Sequence, residues 1–195
     1  MDDGVLVERV LAGRTEFYGE LVRRYQDRVF NTCWRISGHL EDARDLTQEA
    51  FLKAFEGLRT FRRQSGFYTW VFRVAVNLAL SHRRTEKRRR TSTFDPTSAV
   101  AGSQAEELGR RVHGSSDDQP GVAADQAELQ GCVVRALQAL DDEHRAVVVL
   151  RDIEGFDYHE IGAVLGIPPG TVKSRLHRAR SALRDAILPS MAEEP

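Results

Sequence analysis

A basic segment close to the C-terminus carries the residue types that bind DNA. Between Ile161 and Arg184 the sequence has no aspartate or glutamate, while lysine and arginine recur throughout. Cationic side chains bind the phosphate backbone, and arginine, lysine, serine and threonine also hydrogen-bond to base edges in the major groove. The segment therefore predicts DNA as a partner. Its candidate binding residues are Thr171, Lys173, Ser174, Arg175, His177 and Arg178.

The residues around this segment predict two helices joined by a tight turn. Asp157 can cap the first helix, and Glu160, three residues later, can complete a capping box. Gly166 suits the left-handed residue that ends a helix, and Pro169 suits the first turn of the next one. Helices joined so closely cross at an angle, so the pattern indicates a helix-turn-helix. The alternative, an ordinary amphipathic helix with a solvated basic face, explains the charge but not the turn.

An apolar face on the second of these helices decides which of its side chains point outward. Val172, Leu176, Ala179 and Leu183 recur at spacings of three and four residues. This spacing places them on one side of an α-helix. The candidate DNA-binding residues then lie largely on the opposite side.

A second segment, 67–90, combines aromatic and cationic side chains on one predicted helix. Its basic end, which could bind a phosphate backbone, consists of Arg83, Arg84, Lys87, Arg88, Arg89 and Arg90. Unstacked bases bind to aromatic faces and to groups that hydrogen-bond to their edges, and a flipped base needs a pocket. The alternative is that the aromatic residues belong to the core, which is what we predict for Phe67 and Phe72. The candidate contacts with single-stranded DNA are Trp70, Arg73, Asn77 and Arg84.

An acidic and amide strip is predicted on an earlier helix, 40–58. Its members, spaced to share one face of that helix, are Asp42, Asp45, Gln48 and Glu49. Such a strip could dock a basic partner. The alternative is a solvated face supported by the pair of Glu49 and Lys53, which stabilises a helix by only about 0.2 to 0.5 kcal/mol.

Composition and periodicity predict an all-α protein with two small helical domains. The chain has 195 residues, of which 41% are hydrophobic, and a formal net charge of -1. Its β-branched run, Val147–Val149, lies within a helix-length segment that Gly155 closes. We predict helical domains at 1–90 and 125–190, joined by a flexible acidic linker at 91–124 that is rich in Ser, Gly, Asp and Pro.

Neither catalysis nor a cofactor is expected from the sequence. It contains no phosphate-binding glycine loop, its histidines lack the spacing of metal ligands, and no serine or cysteine nucleophile has a recognisable partner motif. The two cysteines, Cys33 and Cys132, are far apart, and we interpret them as buried thiols. A redox-sensing role for Cys33 is the alternative.

The N-terminus and the hydropathy predict a cytoplasmic protein. The first residues are acidic and do not resemble a signal peptide. No run of eighteen apolar residues occurs, so no membrane span is expected.

Three motifs together resemble the extracytoplasmic-function group of bacterial sigma factors, within the sigma-70 family. They are DARDLTQEAFLKAF at Asp42–Phe55, FYTWVFRVAVNLALSHRR at Phe67–Arg84, and RAVVVLRDIEGFDYHEIGAVLGIPPGTVKSRLHRAR at Arg145–Arg180. The resemblance covers essentially the whole chain apart from the linker. It implies a protein that binds core RNA polymerase and directs promoter-specific initiation.

The resemblance also implies a role for each candidate surface. The strip that begins at Asp42 resembles the surface that binds the large catalytic subunit of the polymerase. The stretch from Trp70 to Asn77 and the basic end after it resemble the elements that melt the minus-ten region, with Asn77 contacting a flipped base. The outward residues from Thr171 to Arg178 resemble the readers of the minus-thirty-five box.

The family also implies a regulatory partner. A separate anti-sigma factor is expected to cover the polymerase-binding or DNA-binding surfaces until a stress signal arrives. The alternative to a sigma factor is a stand-alone helix-turn-helix regulator, which would bind a two-fold site as a dimer.

Overall fold

The computed structural model describes residues 1–61, 66–92 and 132–191, without the side chains of 90, 92 and 186–191. The regular elements in these ranges are all helical, which confirms the predicted fold class. The predicted linker, 91–124, lies outside the described residues except for its first two, which continue a helix. No helix in these ranges has the length and apolar character needed to cross a bilayer, and no three His, Cys, Asp or Glu residues in them gather as metal ligands would.

The N-terminal half consists of helices α1 (Asp3–Leu11), α2 (Tyr18–Ser37), α3 (Leu40–Gly57) and α4 (Phe67–Ser92). Helix α3 lies within the predicted 40–58 segment, and a short 3-10 turn continues it. Helix α1 was not predicted, since a helix of nine residues carries little periodic signal.

An apolar core forms where α2, α3 and α4 pack on one another. Phe67 and Phe72 are buried in it, which confirms their assignment to the core. Phe51 of α3 is also buried, but Phe55, one turn later, is 39% exposed with its ring against that of Tyr18. This end of the core is therefore open to solvent on one side.

The C-terminal half consists of α5 (132–139), α6 (Asp142–Val148), α7 (Tyr158–Leu165) and α8 (Pro169–Met191). A π-helical turn, Val149–Ile153, continues α6, so the β-branched run is helical as predicted. The chain then turns at Gly155, whose φ of 78° is in the left-handed region. The segment from Asp142 to Gly155 is thus confirmed as one helical unit that glycine closes.

A buried arginine holds α5 and α6 together. Arg145 is fully buried, and its guanidinium donates to the carbonyl oxygens of Leu137 at 2.7 Å, Leu140 at 2.6 Å and Ile36 at 3.1 Å. A carboxylate oxygen of Asp142 accepts a further bond at 3.0 Å. Burial lowers the pKa of Arg145 to about 10, so the group keeps its charge at neutral pH.

We expect Arg145→Met to destabilise the protein by about 3 to 5 kcal/mol, because the change leaves several buried acceptors without their donor. Urea unfolding followed by circular dichroism measures the effect. Arg23→Met is the control, since Arg23 lies on the surface with a side chain 72% exposed in its pair with Glu20, and its loss should change stability by less than about 1 kcal/mol. Equal shifts for the two variants would contradict the structural role of Arg145.

The two halves pack directly against each other. Helix α4 runs along α7 and also touches α6, and α2 contacts the π-helical turn. This direct contact was not predicted, because periodicity within a helix does not reveal which other helix covers it. The first helix of the helix-turn-helix, α7, therefore packs on α4, the helix that carries Trp70 and Asn77.

Candidate nucleic-acid interface

The helix-turn-helix forms through the local interactions that its sequence predicts. The carboxylate of Asp157 accepts from the Glu160 backbone N–H at 2.8 Å, and the Glu160 carboxylate accepts from the Asp157 N–H at 2.9 Å. Helix α7 ends at Gly166, whose φ is 68°, and α8 begins at Pro169. The predicted capping box and turn are therefore confirmed.

A close approach within the motif was not predicted. A Cβ atom at Gly162 would lie 2.7 Å from the carbonyl oxygen of Ile167, so the turn folds back against α7 where only glycine fits. Gly162 lies in the middle of α7, where glycine is usually unfavourable. This unusual placement is the signal that could have indicated the contact.

The outer face of α8 carries most of the predicted base-reading residues. Lys173, Ser174, His177 and Arg178 are exposed, while Thr171 is half-buried at the start of the helix. Val172, Leu176 and Ala179 are buried beneath them, as the periodicity predicts. The buried apolar side chains therefore anchor α8 to the core, and its outer face is accessible to a ligand.

Arg175 is separated from that face by an ion pair. Its guanidinium lies 2.7 Å from the carboxylate of Glu143, at the start of α6, and its side chain is 25% exposed. Arg180, five residues further along the helix, is paired with Asp152 of the π-helical turn. These two ion pairs connect α8 to the rest of the C-terminal half. Arg178, by contrast, is exposed to solvent.

Helix α4 presents a stripe of predicted single-strand contacts. Arg73, Asn77 and Arg84 are exposed and lie within about a ninth of a turn, roughly 40°, of one another around the helix axis. Trp70, at the start of the stripe, is half-buried, with its ring 5.1 Å from Phe61 and 5.9 Å from Phe67. The structure thus brings an indole face, an amide and two guanidinium groups to one side of the helix.

Arg83 does not join the basic end of α4, although the sequence suggested that it would. Its Nε atom donates to Asp142 at 2.6 Å, and its Nη1 atom donates to the carbonyl oxygens of Ile36 and Ser37. These partners lie on the inner side of α4, so the guanidinium points away from Arg84. Arg83 is therefore a structural residue that joins α4 to α2 and α6, and the prediction that it contacts phosphate is wrong.

The acidic strip of α3 is largely on the surface. Asp45, Gln48 and Glu49 are exposed, and Glu49 pairs with Lys53 at 2.7 Å. Asp42 is half-buried and turns towards α4, where its carboxylate lies 3.8 Å from Nε2 of His82. The structure therefore brings three of the four predicted residues to one outer face and places Asp42 at its edge.

Two apolar side chains extend the same outer face, and the sequence did not predict that they would be exposed. Leu52 is 59% exposed and Phe55 is 39% exposed. With Thr15, Tyr18 and Phe51 they line a shallow apolar groove beside the strip. Leucine and phenylalanine on an amphipathic helix usually indicate the core, so only the packing shows that no helix in the described ranges fully covers them.

Comparison with known proteins matches both halves of the chain. Residues 21–89 match the family Sigma-70 region 2, and residues 130–183 match Sigma-70, region 4. The RNA polymerase sigma-H factor of Pseudomonas aeruginosa is 36% identical over 98% of this chain and 96% of its own length. The ECF RNA polymerase sigma-E factor of Escherichia coli K12 is 37% identical over 97% and 96%.

The chain belongs to the extracytoplasmic-function group of the sigma-70 family. As a sigma factor it directs promoter-specific initiation by core RNA polymerase, a role that does not in general involve catalysis. The alternative of a stand-alone regulator is set aside because the match includes region 2 as well as the helix-turn-helix region.

Solved sigma factors share the fold. The sigma factor RpoE, in its complex with the anti-sigma factor NepR from Bartonella quintana, has a TM-score of 0.63 at 24% identity and aligns over 87% of this chain and 96% of its own. CnrH, in complex with the cytosolic domain of CnrY, has a TM-score of 0.65 at 24% identity over 96% and 97%. The helical architecture of this sigma factor is therefore that of its family.

Cys33 lies in the core of region 2. It is fully buried, and burial raises the pKa of its thiol to about 12, so the unreactive protonated form dominates at neutral pH. We expect iodoacetamide at pH 8 to modify the half-buried Cys132 well before Cys33, with both reacting at similar rates once urea unfolds the chain. Peptide mass spectrometry over time measures this, and equally fast labelling of Cys33 in the folded protein would contradict its assignment to the core.

Proposed function

We propose that this sigma factor reads its promoter with two helices, α4 and α8, and binds core polymerase with the outer face of α3. The observation that carries this proposal is the exposed face of α8 from Thr171 to Arg184, which has no acidic residue and lies opposite a buried apolar stripe. A rigid helix with outward arginine, lysine, serine and threonine has the form that enters a major groove. Each of the other two surfaces adds a contact of a different chemical kind.

We assign minus-thirty-five recognition to α8. Ser174 and Arg178 share one side of the helix with Thr171, and these three are placed to meet base edges. Lys173 and His177 lie beside them and suit phosphate contacts or a second base. Arg175 is paired with Glu143 and adds positive charge at the side of this face. It contacts DNA directly only when DNA displaces the exposed Glu143 carboxylate from the pair.

We assign minus-ten recognition and melting to α4. The indole of Trp70 offers a face against which an unstacked base can lie, and the amide of Asn77 can donate to and accept from a base edge. Arg73 and Arg84 supply charge for the backbone of the same strand. An aromatic face and an amide on one stripe are what a displaced, flipped base requires.

We assign core-polymerase binding to Asp45, Gln48 and Glu49, with Asp42 at the margin. Carboxylates on an exposed helix attract a basic surface, and an interface also needs an apolar centre. Leu52 and Phe55 supply that centre because they extend the same face. The partner is the large catalytic subunit, as the family resemblance implies.

Several further expectations go with this assignment. The protein works with the polymerase in the cytoplasm, performs no catalysis itself and needs no cofactor. A separate anti-sigma factor is expected to cover one of the three surfaces until a stress signal releases it. The solved relatives described as complexes with an anti-sigma factor or a cytosolic partner domain support this last expectation.

The melting role of α4 is tested by Trp70→Ala on two templates. On a fully paired promoter we expect initiation by the reconstituted holoenzyme to fall about tenfold or more, since stacking on an aromatic side chain is worth about 1 to 3 kcal/mol per base. On a promoter with a pre-opened mismatched minus-ten region, we expect most of the activity to return. Transcript yield measures both.

Controls separate this role from a packing defect. Trp70→Phe should retain most activity, because it keeps an aromatic face against Phe61 and Phe67. Circular dichroism checks that each variant remains folded. An equal loss on both templates would contradict melting by Trp70.

A further inference from the structure

A row of cationic side chains runs along one flank of α8. Its members recur at spacings of three and four residues, so they fall within about 60° of one another around the helix axis. The row is centred roughly a third of a turn away from the face that carries Thr171, Ser174 and Arg178. We call it the cationic row, and its exposed members are Lys173, His177, Arg180 and Arg184.

The cationic row borders a basin where α8 passes the start of α7. The basin has a volume of about 610 Å³, and its lining includes the whole row together with Tyr158, Leu176 and Ser181. Leu176 is buried, so the row stands on a helix that is anchored beneath it. The ring of Tyr158, the first residue of α7, lies 5.1 Å from the guanidinium of Arg151. Two packed helices therefore form the basin, and its cationic side is open to a ligand.

Carboxylates balance the charge of this basin only in part. Arg180 is paired with Asp152, and Nε of Arg184 lies 3.5 Å from the carboxylate of Asp185. Lys173 forms no ion pair with any residue that the structure describes. The sequence adds no acid between Ile161 and Arg184. This excess of positive charge favours an anionic ligand.

The other flank of α8 has a different charge. There Arg175 is paired with Glu143 at 2.7 Å, and the arginine side chain is only 25% exposed. A recognition helix in a major groove presents one face to the bases and its flanks to the phosphate backbones on either side. The flank with the cationic row suits a phosphate backbone, whereas the Glu143 carboxylate on the other flank repels one.

The position of the row favours DNA over a separate anionic ligand. The row extends from Lys173 to Arg184, which is about 16 Å along the axis of the helix that carries the proposed base readers. Duplex DNA has one negative charge per about 1.7 Å of its axis. A duplex held at the base-reading face therefore brings several phosphate groups close to the basin.

We propose that the basin binds backbone phosphates of promoter DNA beside the minus-thirty-five box, and that His177 in the row makes this binding depend on pH. The proposal rests on the proposed role of α8 in reading that box. His177 is exposed and forms no hydrogen bond with a described residue, so its imidazole is available to a phosphate oxygen.

The direction of the pH dependence follows from the charge of imidazole, which changes between about pH 5 and pH 8. A bound phosphate attracts the imidazolium and not the neutral ring. DNA binding is therefore strongest at the lower pH and weakens as the pH rises and the ring loses its proton. The charged or titratable groups around His177 are Lys173, Arg180 and Arg184 on α8, Tyr158 on α7, and the two carboxylates that pair with these arginines, Asp152 and Asp185.

The test measures the affinity of the reconstituted holoenzyme for a labelled promoter fragment at about pH 6 and about pH 8, by fluorescence anisotropy. His177→Lys keeps its charge at both pH values, so dividing by its affinity ratio removes the pH dependence of the polymerase. After this division, the unaltered protein should bind about three- to fivefold more weakly at the higher pH, as the loss of one ionic contact in water predicts.

His144→Gln is the control for this measurement. The His144 imidazole pairs with Asp141 at the start of α6, so this variant should give the same pH ratio as the unaltered protein. His177 is exposed, and its replacement should leave the fold intact. Equal pH ratios for the unaltered protein and His177→Lys would overturn the proposal.

Modified promoters identify what His177 contacts. Changing single base pairs of the minus-thirty-five box should leave the corrected pH ratio unchanged, because phosphates are present in every sequence. A ratio that disappears with one base pair would show that His177 reads a base, and would overturn the phosphate assignment. Neutral methylphosphonate links, placed one at a time, should abolish the pH dependence at the link that faces the basin. A pH dependence that no link removes, but that inorganic phosphate removes at constant ionic strength, would show a free anion and overturn the assignment to DNA.

Salt dependence tests the rest of the cationic row. Lys173→Gln and Arg184→Gln should each reduce the slope of log affinity against log salt concentration by about 0.9, the value for one phosphate contact. Arg23→Gln on α2 removes a cation whose side chain is 72% exposed, and it should leave the slope unchanged. Unchanged slopes for both row variants would overturn the row as a phosphate site.

Failure of this proposal can be distinguished from failure of the proposed function. If α8 does not read the minus-thirty-five box, Arg178→Ala causes no promoter-specific loss of initiation. If only the basin is wrongly assigned, that loss remains, and the pH and salt effects of the cationic row are absent.

Discussion

Reversing the charges of Asp45 and Glu49 to arginine should abolish association with core RNA polymerase. Both side chains are exposed on the outer face of α3, and each reversal replaces an attraction to a basic surface with a repulsion. Central interface residues often contribute 2 kcal/mol or more each, so the double change is expected to weaken binding by about a thousandfold or more. Co-purification with core polymerase and fluorescence titration both measure the loss.

The fold should survive this change. Glu49 forms a surface pair with Lys53, and replacing it with arginine puts two cations one helical turn apart, which costs only a few tenths of a kcal/mol. The matched control is Glu20→Arg with Asp27→Arg on α2, which makes the same change in net charge; Asp27 is exposed and the side chain of Glu20 is 46% exposed. Normal core binding by the α3 variant, or equal losses in both variants, would contradict the docking role of the strip.

Replacing Arg178 with alanine should reduce promoter-specific initiation by about ten- to a hundredfold while leaving core binding unchanged. A bidentate arginine–base contact is worth about 1 to 3 kcal/mol of discrimination. Arg178 is exposed on the same side of α8 as Ser174, and the buried Ala179 beside it fixes the helix. Run-off transcript yield and core titration measure the two quantities on the same preparation.

Two controls distinguish base reading from general charge. Arg184→Ala removes an exposed cation later on α8, and we expect a small loss that is similar on all promoter sequences and is reduced at high salt. Arg178→Ala, by contrast, should lose its effect on a promoter whose minus-thirty-five box has been changed. Equal losses of initiation and core binding for Arg178→Ala would refute its assignment as a base reader.

The features of this sigma factor that could be predicted from sequence are local ones. Asp157, Glu160, Gly166 and Pro169 act on backbone groups within a few residues, so their roles follow from spacing alone. The buried stripe of α8 follows from helical periodicity in the same way. The outward residues of α8 could therefore be identified from the sequence, without knowledge of the fold.

The features that could not be predicted depend on contacts distant in sequence. Arg145 reads as an ordinary surface cation, yet it is fully buried among carbonyl groups from two halves of the chain. Glu154 likewise looks like one acid among several, and only the packing of α2 against the π-helical turn buries it. Arg83 was predicted to bind phosphate because its neighbours in sequence are cationic, whereas its partners lie on α2 and α6.

The candidate sites show the same division. Periodicity gives the face on which Leu52 and Phe55 lie, but it cannot show whether another helix covers that face. Asp42 has the spacing of the strip, and the approach of His82 from α4 draws it to the edge. Burial and partner choice are tertiary properties, so they had to come from the structure.

Run-off transcription from fragmented genomic DNA with bacterial core RNA polymerase, with and without this protein, tests the central account most directly. We predict discrete new start sites that share two upstream boxes and disappear with the Asp45 and Glu49 reversals. A folded protein that binds core polymerase yet produces no new start sites on any fragment would contradict it.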